Sequence, residues 1–263
     1  MMTARAGAPR HDADQWASPH RLQFRRCPAG SLSRPIRGLL FDMGDVLHDT
    51  TLWRRWLLQL LGRLGLRTNY RSFYHVWDRD FLADVHRGRR EFCEAFQAFL
   101  LSVGLTPAQI DEVQAACQAR RRQWEDTARA LPGVKPTLAR LQSAGYVLGV
   151  LSDSEHPSDA LSRQLDRFGI GGFFSTVVSS IDLGETKPHP IGYRTALERM
   201  KILPEQAAFV GHDTLELSGA TGAGLQTIAF NFDPDAKADV FIARFDELLD
   251  VTAAARAHLA AAG

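Results

Sequence analysis

The chain has 263 residues, of which 45% are apolar and 23% are charged, a composition typical of a globular protein with a full core. Lys plus Arg (31) nearly balances Asp plus Glu (30), so the overall charge favours neither nucleic acid nor an anionic membrane as a partner. Three widely spaced cysteines without a CxxC pair predict unpaired thiols in a reducing, cytoplasmic compartment: Cys27, Cys93 and Cys117.

Residues 1–35 differ in composition from the rest of the chain. The segment from residue 17 to residue 37 contains several arginines and no acid: Arg21, Arg25, Arg26, Arg34 and Arg37. Because it has neither an apolar h-region nor a clear amphipathic helix, it predicts a disordered basic leader. An organelle transit peptide and an upstream start codon are the alternatives. Residues 1–35 are therefore not expected to belong to the folded core.

The first predicted strand is "IRGLLF", Ile36 to Phe41, and a long segment with helical periodicity follows it. From residue 51 to residue 129, apolar residues recur at three- and four-residue spacing with almost no strand signal. Thr106 before Pro107 is a typical helix start within this segment. The pattern predicts a helical module inserted after the first strand, at the position of a lid over the carboxyl end of that strand.

From Leu131 onward, helical segments alternate with short apolar runs: "YVLGVL", "FFSTVVS", "AAFV" and "LQTIAF". Runs that are apolar on both faces predict a parallel sheet covered by helices on both sides, a Rossmann-like α/β fold. The predicted core comprises residues 36–50 plus 130–250, the predicted helical cap residues 51–129, and the Ala-rich end, 251–263, a fraying helix or tail.

Polar residues follow the predicted strands where each strand ends: Asp42, Ser152, Lys187 and the "GHD" of residues 211–213. In open parallel sheets the ligand lies outside the carboxyl ends of the strands, so these side chains are expected to converge. A carboxylate, a hydroxyl, an ammonium group and a second acid together suit a phosphate group and a divalent cation. Asp42 could attack phosphorus, Ser152 could hydrogen-bond the phosphoryl oxygens, and Lys187 could neutralise developing charge.

The segments "FDMGDVL", "VLSDS", "GETKPHP" and "FVGHDTLELSGATGAG" resemble the four ordered motifs of the haloacid dehalogenase (HAD) superfamily. The inserted helices lie where that family has its C1-type cap, and the resemblance covers about residues 36 to 250. It implies that Asp42 is the nucleophile, that Ser152 is the hydroxyl residue of the second motif, and that Lys187 is the lysine of the third. The expected phosphate-binding residues are Asp42, Gly44, Ser152, Asp153 and Lys187. It also implies an Mg²⁺ site formed by Asp42, the carbonyl of Gly44 and the acids of the fourth motif.

The first motif departs from the family pattern at Gly44. Most phosphatases of the family have an acid there that protonates the leaving group, and here the acid, Asp45, comes one residue later. Loss of a general acid typically costs about 10²- to 10⁴-fold in rate, which favours substrates with good leaving groups. In an extended chain a shift of one residue turns the side chain away, so Asp45 is expected to cap a turn or helix, with substitution for the missing acid as the alternative.

The fourth motif also departs from the pattern, because His212 occupies the position of its first acid and Glu216 that of its second. Imidazole is unusual at an all-oxygen Mg²⁺ site. We expect the loop to turn Asp213 towards the metal with Glu216 behind it. The alternatives are that His212 is a ligand for a softer metal such as Mn²⁺, or that the metal site is impaired.

These features predict a Mg²⁺-dependent hydrolase that acts on a small phosphorylated metabolite through an aspartyl-phosphate on Asp42, as a monomer or homodimer. A 2-haloacid dehalogenase-type hydrolase and a catalytically impaired binding or regulatory protein of the same fold are the alternatives. The arginines of the predicted cap are expected on a solvated face, with contact between one of them and the substrate as the alternative: Arg54, Arg55, Arg87, Arg89 and Arg90.

Overall fold

The computed structural model describes residues 29–66, 73 and 76–262, and these contain one seven-stranded sheet. The order across the sheet is β1-β7-β6-β5-β2-β3-β4, and only the β1–β7 pair is antiparallel. The strands are β1 (Ala29–Gly30), β2 (Gly38–Phe41), β3 (Val147–Ser152), β4 (Thr176–Ser179), β5 (Ala207–Gly211), β6 (Gln226–Phe230) and β7 (Val240–Ile242). The predicted mostly parallel, Rossmann-like sheet is confirmed.

Helices cover both faces of the sheet because its central strands are apolar on both sides. Leu39 and Phe41 of β2 point into one core and Leu40 between them points into the other, as the two-residue period of a strand requires. On the first face lie α5 (Val134–Ser143), α6 (Ser158–Arg167) and α10 (Leu248–Ala262); on the second lie α8 (Pro190–Met200) and α9 (Thr214–Gly222). The short helix α7 (Ser180–Leu183) follows β4 directly.

The helices between β2 and α5 form a separate unit, which we call the cap: α1 (Thr51–Arg63), a π-helical turn (Trp77–Leu82), α2 (Ala83–His86), α3 (Phe92–Ser102) and α4 (Pro107–Thr127). Trp77 is 1% exposed and lies at the centre of the cap's own core. Four phenylalanine rings surround it with centroids 5.2 to 6.4 Å away: Phe81, Phe92, Phe96 and Phe99. Interlocked aromatic rings of this kind fix the backbone of the π-helical turn.

The cap contacts the sheet domain through its α2 end. Ser180 Oγ donates a hydrogen bond of 2.8 Å to the carbonyl oxygen of His86, and Arg89 forms an ion pair of 3.0 Å with Glu185. His86 Nε2 lies 3.9 Å from Glu155 Oε2 in the loop after β3. These contacts place the π-helical turn and α1 over the carboxyl end of the sheet.

Two parts of the fold differ from the sequence prediction. Residues 29–35, predicted to belong to the leader, pack on the sheet: β1 pairs with β7, and Leu32 is 4% exposed. Strands of two and three residues are too short to show a period, which is why neither β1 nor β7 was predicted. At the other end, α10 extends into the predicted tail, and its residues Val251 and Ala255 are buried. The remainder of the predicted leader, residues 1–28, lies outside the described residues.

Cys93 and Cys117 carry free thiols, in agreement with their prediction, and Cys27 lies outside the described residues. Among the helices that the structure describes, none combines the length and the apolar character needed to cross a membrane.

Candidate active site

Three neighbouring strands bring predicted site residues together at the carboxyl end of the sheet. Strand β2 lies between β3 and β5, so Asp42 at its end is flanked by Ser152 at the end of β3 and by His212 just after β5. The backbone N–H of Asp42 donates a hydrogen bond of 2.9 Å to the carbonyl oxygen of Val210, which continues the sheet by one residue. Asp42 is buried, and its position at the junction of β3, β2 and β5 is where open parallel sheets form their ligand crevice.

Lys187 joins the two buried carboxylates of the site. Its ammonium group forms a close ion pair with Asp42 and another of 2.7 Å with Glu216 Oε2, and all three side chains are at most 7% exposed. Burial alone would lower the pKa of Lys187, but the two carboxylates raise it well above its ordinary value. Lys187 is therefore a fixed cation beside Asp42.

Glu216 is held by its own helix as well as by Lys187. Its Oε1 accepts hydrogen bonds from the backbone N–H groups of His212 (2.6 Å) and Asp213 (2.9 Å). Burial tends to raise its pKa, but Lys187 and His212 hold the pKa of Glu216 below its usual range. Tyr193, which sequence reasoning missed, donates a hydrogen bond of 2.7 Å from its hydroxyl to the carbonyl oxygen of Glu216. An aromatic residue in an amphipathic helix gives no signal of such a role.

His212 places a second cation in the cluster. Its Nδ1 lies 3.1 Å from Glu216 Oε1 and 3.6 Å from Asp42 Oδ2. Burial tends to lower the pKa of His212, but the neighbouring carboxylates, Glu216 first, raise it to about 10. At Asp42, burial raises the pKa more than the nearby cations lower it, and the resulting pKa is about 6. Two carboxylates thus face an ammonium and an imidazolium group, and the formal charges of the ionised groups cancel.

Asp213, which is expected to face the metal, contacts the start of α9 and is not among the three side chains whose ligand atoms lie together. Its Oδ1 accepts hydrogen bonds from the backbone N–H groups of Leu215 (2.7 Å) and Glu216 (3.2 Å). Together with the bond from its own N–H to Glu216, this forms a capping box at the start of α9. The carboxylate of Asp213 is therefore occupied by the helix terminus, and Glu216, expected behind it, lies beside Asp42.

Asp45 has a structural role in this arrangement, as the main reading of the sequence expected. Its Oδ1 accepts hydrogen bonds from the N–H (2.9 Å) and the hydroxyl (2.7 Å) of Thr50, at the start of α1. Its backbone is left-handed with φ of 55°, a conformation that glycine adopts more readily. Burial tends to raise its pKa, but Arg54, His212 and the bonds from Thr50 hold the pKa of Asp45 below its ordinary value.

Gly44 occupies the position at which the resemblance implies a proton donor, and a Cβ atom there needs only a small shift of Thr50. A Cβ atom built on Gly44 would have one close contact, Thr50 Cγ2 at 3.3 Å, and the backbone there is not left-handed. A side chain at this position is therefore compatible with the fold. The acid is therefore missing because the residue is glycine, and not because the backbone excludes a side chain.

The second motif contributes Ser152 at the end of β3 and Asp153 just after it. Ser152 is 7% exposed, and β3 pairs in parallel with β2, the strand that ends just before Asp42. Asp153 Oδ1 accepts a hydrogen bond of 3.1 Å from the backbone N–H of Lys187 and so fixes the lysine's backbone. Burial is the main reason why the pKa of Asp153 is raised to about 7.

The cluster contains ligand atoms suited to a divalent cation. One ligand atom each from Asp42, His212 and Glu216 lies within 4.8 Å of the others. Two carboxylates are hard oxygen donors, whereas the imidazole nitrogen suits Mn²⁺ and other transition metals better than Mg²⁺. The donor set therefore fits a divalent cation and differs from an all-oxygen Mg²⁺ site at His212.

Helix α9 packs tightly against the segment that carries Lys187. A Cβ atom on Gly219 would lie 2.8 Å from the backbone Cα of Pro188, whereas a Cβ atom on Gly222 of the same helix would meet no atom within 4 Å. The close approach of α9 to this segment therefore requires glycine at position 219 but not at position 222.

We expect Gly219→Ala to destabilise the protein by about 1–3 kcal/mol, because the methyl group must displace the Pro188 backbone. Displacement of Pro188 also moves Lys187 and should lower the rate of any reaction at Asp42. Gly222→Ala is the matched control and should leave stability unchanged or raise it by up to about 1 kcal/mol. Urea unfolding of both variants tests this; equal stability of the two would contradict the packing argument.

Comparisons with known proteins identify the family and the fold. A model of the haloacid dehalogenase-like hydrolase family matches residues 36–224. The glyceraldehyde 3-phosphate phosphatase of Pyrococcus furiosus is 28% identical over 234 residues, which cover 83% of this chain and 93% of that relative.

Two solved structures share the fold. A predicted phosphoglycolate phosphatase from Haemophilus somnus is similar with a TM-score of 0.62 and 22% identity, covering 82% of this chain and 98% of that one. A 2-haloacid dehalogenase from Pseudomonas syringae is similar with a TM-score of 0.53 and 24% identity, covering 83% and 99%.

Proposed function

Because the chain belongs to the family of haloacid dehalogenase-like hydrolases, we propose that it hydrolyses a small phosphate ester through an aspartyl-phosphate on Asp42. The observation that carries this proposal is the buried Asp42 carboxylate, which lies at the end of the central strand with Lys187 and His212 beside it. The similarity to a glyceraldehyde 3-phosphate phosphatase over most of both chains supports a phosphorylated metabolite as substrate.

In the first step, a carboxylate oxygen of Asp42 forms a bond to phosphorus while the bond between phosphorus and the ester oxygen breaks. In this proposal the Ser152 hydroxyl and the Lys187 ammonium group bind the phosphoryl oxygens as their charge grows. In the second step, water attacks the aspartyl-phosphate, phosphate leaves, and the Asp42 carboxylate is restored. Because Lys187 is fixed by Glu216 and Asp153, it meets this charge without reorganisation.

A divalent cation would be held by Asp42, His212, Glu216 and the carbonyl oxygen of Gly44, and the His212 imidazolium would have to give up a proton to become a ligand. When bound, it supplies positive charge that stabilises the phosphoryl group in the transition state. We propose that His212 shifts the preference of this site from Mg²⁺ towards Mn²⁺, since imidazole is a poor ligand for the harder ion.

We expect His212→Asp to bind Mg²⁺ more tightly than the wild type and to lose the wild type's preference for Mn²⁺. Titration calorimetry with each cation, without substrate, measures this directly. Asp213→Asn is the matched control, because its side-chain oxygen can still cap α9, and it should leave the metal preference unchanged. If Asp213→Asn loses metal binding while His212→Asp retains it, Asp213 is a metal ligand.

The function itself is tested by release of inorganic phosphate from a panel of esters. The panel contains phosphoglycolate, glyceraldehyde 3-phosphate, an acyl phosphate, a sugar 1-phosphate and p-nitrophenyl phosphate, each with Mg²⁺ and with Mn²⁺. We expect turnover of at least one small ester. Chloride release from 2-chloropropionate in place of phosphate release would assign a dehalogenase, and tight binding of esters without turnover would assign a binding protein.

A further inference from the structure

The protons of the site described so far belong to Lys187 and His212, which Asp42 and Glu216 hold, and no acid stands at the position of Gly44. Gly44 has no side chain, and the carboxylate of Asp45 is bound to Thr50. Expulsion of an alkoxide without a proton is slow, so an enzyme that acts on alkyl phosphates needs a donor elsewhere. In an in-line displacement the leaving oxygen lies opposite Asp42, towards the wall of the crevice formed by the cap.

Asp78 lies on that wall, in the π-helical turn of the cap. Its Oδ1 is 3.9 Å from Arg54 Nη2, too far for a hydrogen bond, and it accepts none from the residues that the structure describes. The oxygen is shielded from solvent although the side chain as a whole is 40% exposed. One oxygen is thus enclosed beside Arg54, while part of the side chain remains exposed.

The charges around Asp78 belong to the active-site loops as well as to the cap. Arg54 faces it from α1, Asp45 from the loop after β2, and His212 and Asp213 from the loop after β5. Burial raises the pKa of Asp78 above its ordinary value, and the two acids add to this, while Arg54 and His212 act in the opposite direction. The position suits a carboxyl group that exchanges a proton during turnover.

The backbone that carries Asp78 is both irregular and rigid. The turn Trp77–Leu82 is π-helical, a form that in other proteins frequently marks functional sites. Trp77, next to Asp78, is locked among four phenylalanine rings in the cap core. The carboxyl group is therefore positioned by the core of the cap.

Resting on the proposed phosphatase function, we propose that Asp78 is the catalytic acid that protonates the leaving group, in place of the side chain that Gly44 lacks. As the bond between phosphorus and the ester oxygen breaks, that oxygen takes the proton from the Asp78 carboxyl group and leaves as an alcohol. In the second step the Asp78 carboxylate accepts a proton from the attacking water, which restores the acid. Arg54 stabilises the carboxylate between the two steps.

The test compares leaving groups. We expect Asp78→Asn to lower kcat for an alkyl phosphate such as phosphoglycolate by about 10²- to 10⁴-fold. Turnover of p-nitrophenyl phosphate, whose leaving group needs no proton, should fall by less than about tenfold. Asp80→Asn is the matched control, because Asp80 is an exposed acid on the same turn, and both of its rates should stay near those of the wild type.

Rescue gives a second readout that a structural role would not produce. In the double variant Asp78→Asn with Gly44→Asp, the space beside Thr50 accepts a new acid next to Asp42, and alkyl phosphate turnover should recover at least tenfold over Asp78→Asn. Equal losses for both substrates, or no loss for either, would overturn the role of Asp78. If the wild type turns over p-nitrophenyl phosphate but no alkyl phosphate, Asp78 is not a proton donor although the phosphatase proposal holds. Absence of all phosphate release would overturn both.

Discussion

Asp42→Asn should abolish phosphate release from every ester of the panel, including p-nitrophenyl phosphate. The amide has no charge and cannot form the aspartyl-phosphate, so the covalent route is lost for good and poor leaving groups alike. We expect a fall of at least about 10⁴-fold in kcat/KM, equivalent to ~5 kcal/mol of transition-state stabilisation. Steady-state kinetics with p-nitrophenyl phosphate, the substrate that depends least on a proton donor, measures it.

The variant should keep its fold. Lys187 retains its ion pair of 2.7 Å with Glu216 when Asp42 loses its charge. Asp49→Asn is the control, since Asp49 belongs to the same loop but is exposed, and it should retain activity. Turnover by a folded Asp42→Asn protein at the wild-type rate would exclude Asp42 as the nucleophile.

Lys187→Met should cause the largest loss of stability among the variants considered, about 3–5 kcal/mol at neutral pH. It removes the ammonium group that lies between the buried carboxylates of Asp42 and Glu216, and one of these must then stay ionised without its main partner or become protonated. Activity should be lost with it. Urea unfolding in the presence of a chelator measures the stability without interference from bound metal. Lys135→Met, at an exposed position on α5, should change stability by no more than about 0.5 kcal/mol.

The loss should depend on pH in a defined direction. In the wild type the pKa of Glu216 is held below its unfolded value, so Glu216 adds stability above about pH 4.5, and this contribution fades as the pH falls below that value. Without Lys187, burial dominates and raises the pKa of both carboxyl groups, which then destabilise the protein as the pH rises. The difference between wild type and Lys187→Met should therefore widen from about pH 4 to pH 7. A constant difference would mean that lost packing, and not charge, is the cause.

The sequence was sufficient to predict the central sheet and most of the site, because both depend on strands that are buried on two faces. Such strands stand out as continuous apolar runs, and the residues that end them, Asp42 and Ser152, can be counted from the sequence. Lys187 follows from the same order of motifs. The edge pair β1 and β7 could not be predicted, since its few residues are defined by a partner that is distant in the chain.

The fourth motif could not be resolved from the sequence, because His212 and Asp213 are neighbours and one turn of backbone decides between them. The capping box at the start of α9 fixes that turn and assigns Asp213 to the helix terminus. Asp78 was missed for a related reason. A π-helical turn inserts a residue into an otherwise helical pattern, and hydrophobic periodicity does not show which polar residue it directs inwards.

The candidate site is divided between the sheet domain and the cap, so the size of a substrate and the acidity of its leaving group together decide whether it reacts. Asp42 belongs to the sheet and Asp78 to the cap, so in the proposed mechanism the proton arrives only when the cap lies over the bound ester. An ester too bulky for the cap to close can still phosphorylate Asp42 if its leaving group departs unaided. Bulky aryl phosphates should therefore remain substrates where alkyl phosphates of the same bulk are refused, and a screen that uses aryl esters alone would overstate the range of molecules that the enzyme accepts.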